Sequence, residues 1–93
     1  MIAGTDYVVS PDIAWTEARD VWGLPVVYVA PLPAGPISVL PDMSALIWLA
    51  VAEGAPDVVG EVAHVTSHPQ EEVRDDIEAF VGQLVERGLV RRV

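Results

Sequence analysis

The chain contains no cysteine and no lysine. Without cysteine there is no disulfide, no thiol nucleophile and no thiolate metal site, and the composition suits a reducing compartment. Basic residues are scarce as well: five arginines face fourteen acidic residues, for a formal net charge of −9 and a pI near 4.3. That balance argues against nucleic acid, because each phosphate contact needs a Lys or Arg to displace counterions and the one basic pair is Arg91 and Arg92. An acidic chain instead attracts basic partners. Long apolar runs are missing too. The longest, residues 45–52, has the length of a core helix and falls well short of the roughly 18 residues that span a bilayer. Residues 1–10 lack the basic and apolar regions of a signal peptide, and Asp6 would interrupt one. No membrane association and a cytoplasmic location are therefore expected.

What is present is enough for one domain over residues 1–93: 52% of the residues are apolar, so a chain of this length can bury a core, although small domains are only marginally stable. Pro11, Pro25, Pro31, Pro33, Pro36 and Pro41 punctuate the first part and make helix improbable there. Residues 7–10 read as extended. Residues 15–19, 26–30 and 37–40 read as three strands of an antiparallel meander, with a turn at 32–36. After Pro41 the period changes. Asp42 is the expected N-cap of a first helix that carries Met43, Leu46, Ile47 and Ala50 at helical spacing and stops at Gly54. Asp57 is expected to cap a second helix to about Thr66, with Val58, Val62 and Val65 buried. The third begins near Pro69, has Glu71 and Glu72 to complement its dipole and ends before Gly88. The expected class is α+β, a three-stranded antiparallel sheet followed by three helices, an order that is also winged helix-turn-helix-like.

Reactive constellations are hard to find. His64 and His68 are four apart, but Ser67 and Pro69 interrupt the helix that would align them, and no third ligand is evident. Asp75 with Asp76, and Glu71 with Glu72, are adjacent, so about 100° of helical rotation separates each pair and neither converges on one atom. No serine sits in a G-x-S-x-G elbow, and no glycine-rich phosphate loop is present. No catalytic residue, metal site or cofactor is expected. Among the tryptophans, Trp48 reads as core, whereas Trp22, beside Gly23 and Pro25, is a candidate for an exposed rim.

A sheet edge offers unpaired backbone groups to a second chain, and strand 37–40 carries no charge to blunt it. The third helix has two apolar ridges, one of Val73, Ile77, Phe80 and Leu84 and one of Val81 and Val85, so one can face the core while part of the other lines a groove. Asp75, Asp76 and Glu72 at the rim would favour a basic segment.

The runs Val8-Val9-Ser10-Pro11, Gly35-Pro36-Ile37-Ser38-Val39-Leu40, Ala45-Leu46-Ile47-Trp48, Val73-Arg74-Asp75-Asp76-Ile77-Glu78-Ala79-Phe80-Val81 and Leu84-Val85-Glu86-Arg87-Gly88-Leu89-Val90, in this order and spacing, resemble the PqqD family of leader-peptide-binding RiPP recognition elements. The resemblance covers nearly the whole chain and is greatest to the stand-alone proteins of lasso peptide biosynthesis. It implies a non-catalytic adaptor. The leader of a precursor peptide would add as a strand to Ile37, Ser38, Val39 and Leu40 and pack against Val73, Asp76, Ile77 and Phe80 of the third helix. A cysteine leader peptidase and an ATP-dependent lasso cyclase would be its partners. Another modified-peptide or quinone-cofactor pathway remains an alternative, as do, from other classes, a winged-helix DNA-binding protein and an oligomerisation module.

Overall fold

The computed structural model describes residues 7–92. It contains β1 (Tyr7–Val9), β2 (Ile13–Arg19), β3 (Pro25–Pro31), β4 (Ser38–Pro41), α1 (Met43–Ala52), α2 (Val58–Thr66), α3 (Gln70–Glu86) and β5 (Val90–Arg92). Strands β2, β3 and β4 form the expected antiparallel meander in sequence order. The strand expected at 37–40 begins one residue later and runs on to Pro41. A second sheet, which the sequence reading did not contain, pairs β1 with β5, placing Tyr7 opposite Arg92 and Val9 opposite Val90.

Alternation of side chains explains the main sheet's two faces. Val27 and Val29 of β3 are buried, Leu40 lies opposite Val27, and this inner face meets the helices. Tyr28, opposite Val39, points to the outer face, where both are exposed. The β2–β3 turn is irregular, as its Trp, Gly and Pro content implies. Asp20 Oδ1 accepts from the backbone N–H of Trp22 at 2.8 Å and of Leu24 at 2.9 Å, the Arg19 guanidinium donates to the Gly23 carbonyl at 3.1 Å, and Trp22 is left 82% exposed.

α1 is apolar on nearly every side, with Ala45, Ile47, Trp48, Ala50 and Val51 buried, because it lies between the sheet and the other helices. Trp48 is completely buried and meets Trp15 of β2 edge to face, ring centroids 6.2 Å apart. Its Nε1 has no hydrogen-bond partner among the described residues. The N-cap expected at Asp42 is not made: Asp42 adopts φ 52°, its carboxylate caps nothing, and its backbone N–H donates to the Pro25 carbonyl. The residue is still the last rung of the β3–β4 ladder, and that rung fixes a backbone geometry its side chain cannot cap from. Asp57 does cap α2, accepting from Gly60 N–H at 3.1 Å. Val65, expected to be buried there, is 54% exposed, and Val59 and Ala63 take its place in the core.

α3 packs on α1, α2 and β5 through Ile77, Val81 and Leu84. Its end is closed by a Schellman motif in which Leu89 N–H donates to the Leu84 carbonyl and Gly88 N–H to that of Val85. Gly88, at φ 76°, makes this turn possible, and Leu89 then buries itself over Leu84 and directs the chain into β5.

Candidate peptide-binding site

The phase of the hydrogen-bond ladder decides which backbone groups of β4 are free. In an antiparallel pair, successive residues direct both their N–H and C=O to alternate sides. Asp42 N–H bonds the Pro25 carbonyl, and the register pairs Val27 with Leu40 and Val29 with Ser38, so Ser38, Leu40 and Asp42 turn toward β3. The other side of β3 agrees independently: Leu32 N–H bonds Asp12 and Asp20 N–H bonds Leu24, so even-numbered β3 residues turn toward β2 and odd-numbered ones toward β4. Val39 therefore presents its N–H and C=O to the unpaired edge, and Pro41 presents a carbonyl only. No strand pairs with this edge among the described residues. The opposite edge, β2, carries Glu17 and Arg19, charges of the kind that discourage strand addition.

Just past the end of β4, between α1 and α3, lies a cleft of about 220 Å3 lined by Met43, Ser44, Ile47, Val73, Asp76, Ile77 and Phe80. Ile77 and Ile47 form its buried floor, Val73 and Phe80 are half-buried walls, and Asp76 is exposed at the mouth. At the other end of the strand the Arg87 guanidinium donates to Ser38 Oγ. Since Ser38 begins β4 and faces the C-terminal end of α3, while Met43 follows β4 and faces its N-terminal half, strand and helix run side by side in opposite directions.

The residues singled out in the sequence thus divide. Val73, Asp76, Ile77 and Phe80 share one cleft. Ser38 meets α3 through Arg87. Ile37 and Val39 are 69% and 54% exposed, and Val39 points its side chain to the outer face while its backbone lines the edge. Leu40 is 4% exposed, so its side chain belongs to the core. Sequence reasoning did not include the α1 wall or Arg87. The spacing of Met43 and Ile47, four apart on α1, was the available signal for the former. Nothing local marked the latter, which meets Ser38 across 49 residues.

Ala14, Thr16, Tyr28, Ala30 and Ile37, with Trp15 and Val29, line a shallow apolar depression on the sheet. His64 and His68 are both exposed, with the break at Ser67 between them, where φ is 58°. Among the described residues no group of three or more His, Asp or Glu is placed to hold a metal ion. No described helix is long and apolar enough to cross a membrane.

A small sheet with an uncharged open edge beside an apolar cleft has the layout that domains accepting an added strand use. Residues 32–90 match the model of the family described as coenzyme PQQ synthesis protein D (PqqD), more than half of the chain. The chain belongs to the PqqD family, and the matched segment holds β4 and all three helices, hence the edge and the cleft. No curated protein and no solved structure matches it. Membership supports a peptide-binding accessory role in the making of ribosomally produced, modified peptides.

Proposed function

We propose that this chain captures the leader of a precursor peptide as an added strand on β4, with leader side chains seated in the cleft against α3, and presents it to a leader peptidase and a lasso cyclase. The observation that carries the reading is Val39: its backbone donor and acceptor lie on an uncharged edge that is unpaired among the described residues and that runs toward the apolar cleft between α1 and α3. Magnitudes divide the labour. Two hydrogen bonds to Val39 contribute about 0.5–1.5 kcal/mol each, and burying one aliphatic side chain contributes about 1.5–3 kcal/mol. Association itself costs at least about 4 kcal/mol. The strand bonds therefore set register, and several apolar contacts must supply the affinity. Chemistry on the peptide would fall to the partner enzymes, and a precursor made on ribosomes suits a cytoplasmic adaptor.

The acidic exposed side of α3, with Glu71, Glu72, Asp75, Asp76, Glu78 and Glu86 against Arg74 and Arg87, disfavours the winged-helix DNA-binding alternative. Titration calorimetry with the leader of a precursor encoded beside this chain tests the reading. Binding below about 1 μM, near −8 kcal/mol, is expected; a folded chain that ignores that leader overturns it. Co-precipitation of peptidase and cyclase by the chain, with and without leader, tests the lasso assignment.

A further inference from the structure

The groove has a polarity of its own. One end carries the exposed Asp76 carboxylate at the mouth of the cleft, with Glu72 one turn away on α3. The other end carries Arg87, held at the start of β4 by its bond to Ser38 Oγ. Eleven residues of helix separate Asp76 from Arg87, about 16 Å at 1.5 Å per residue. An extended peptide covers that length in about five residues.

The phase of β4 places the peptide's side chains. Antiparallel addition, the stronger pairing, lets one peptide residue exchange both bonds with Val39. The peptide then enters at the Pro41 end and leaves at the Ser38 end. Directly opposed residues in such a pair share a face, so the peptide residue opposite Val39 points to the outer face. Its neighbours, opposite Leu40 and Ser38, point inward toward α3. The inward residue opposite Ser38 meets Arg87, and inward residues nearer the N-terminus meet Phe80 and then Asp76, with Val73 about one turn further along α3.

We infer that the groove selects peptides by charge order: a Lys or Arg bound at Asp76, an apolar inward residue over Phe80, and an Asp or Glu bound at Arg87, four or six positions after the cation. The even spacing follows from the alternation of an extended chain, and a carboxylate on Arg87 gains charge-assisted hydrogen bonds that Ser38 alone does not provide. Reversed charges would set cation against Arg87 and carboxylate against Asp76. This inference rests on the strand-addition reading of the same site.

The test is selection of a displayed library of randomised nine-residue peptides against the chain. Recovered peptides are expected to carry the basic residue first and the acidic residue four or six positions later. Synthetic pairs of one composition, with the two charges exchanged, should differ at least tenfold in fluorescence-anisotropy titrations. The double variant Asp76→Arg/Arg87→Asp should invert that preference. Both positions are exposed, and melting curves of the variants verify that they fold. Arg87→Gln should erase the preference at the acidic position while leaving the basic one. Binders that lose affinity with Val39→Pro yet tolerate charge exchange within twofold overturn the charge-order inference and leave strand addition standing. Failure to recover any binder sensitive to Val39→Pro overturns strand addition, and the charge order with it.

Discussion

Ile77 and Phe80 are three residues apart on α3 and border the same cleft, yet Ile77 is 1% exposed and Phe80 only partly buried. Truncation should separate them. Ile77→Ala removes three methyl-sized groups from the core and should destabilise the fold by about 2–5 kcal/mol, a large share of the 5–15 kcal/mol typical of whole domains. Phe80→Ala should leave the melting temperature closer to that of the parent and weaken peptide binding by about 2 kcal/mol or more, as a contact anchor does. Equal melting losses for the two, with unchanged peptide affinity for the Phe80 variant, would move Phe80 from the groove into the core. Gly88 is a different kind of residue, since its contribution is a backbone angle. At φ 76° an alanine is strained, and Gly88→Ala should cost about 1–2 kcal/mol in chemical denaturation. Because Arg87 precedes it and Leu89 follows, the same change should loosen both the Ser38 contact and the seat of β5.

β4 is four residues long, and adjacent positions on it do opposite things. Val39 turns its N–H to the free edge, whereas Leu40 turns its own to Val27 and buries its side chain. A proline scan therefore has a definite expected outcome. Val39→Pro deletes a donor that only an added strand uses, and proline is tolerated on sheet edges; the variant should fold and lose at least tenfold in leader affinity. Leu40→Pro removes a ladder bond and a core side chain together, and its circular dichroism melt should show a severely destabilised protein. A Val39→Pro variant that binds as well as the parent would place the peptide off this edge. The helices show the same dependence on context: Asp57 caps α2 because it is extended there, and Asp42 cannot cap α1 because the sheet holds its backbone.

For the molecule as a whole, the net charge of −9 sets the long-range field. A leader of net positive charge should be steered toward the acidic surface of α3, so its association rate in stopped-flow experiments should fall as sodium chloride rises past the point where screening shortens to about 10 Å, near 0.1 M. The dissociation rate should change less, because the cleft and the Val39 bonds act at contact. An association rate indifferent to salt would confine the role of charge to the groove itself.

Much of this was written in local patterns. The absence of cysteine, the spacing of apolar residues on the helices, the prolines between strands, the cap at Asp57 and the glycines at 54 and 88 determined element types, their order and the uncharged character of strand 38–41, since periodicity and turn chemistry are properties of neighbouring residues. The shared helical ridge of Val73, Ile77 and Phe80 followed from the same periodicity, and the family resemblance added Asp76 to it. Only the tertiary structure decided which ridge of α3 is buried, that α1 walls the cleft, and that Val39 rather than Leu40 opens to the edge. The same holds for the pairing of β1 with β5 and for the meeting of Arg87 with Ser38. These are settled by ladder phase and by contacts across 49 and 85 residues, where the chain must first fold before either partner exists for the other.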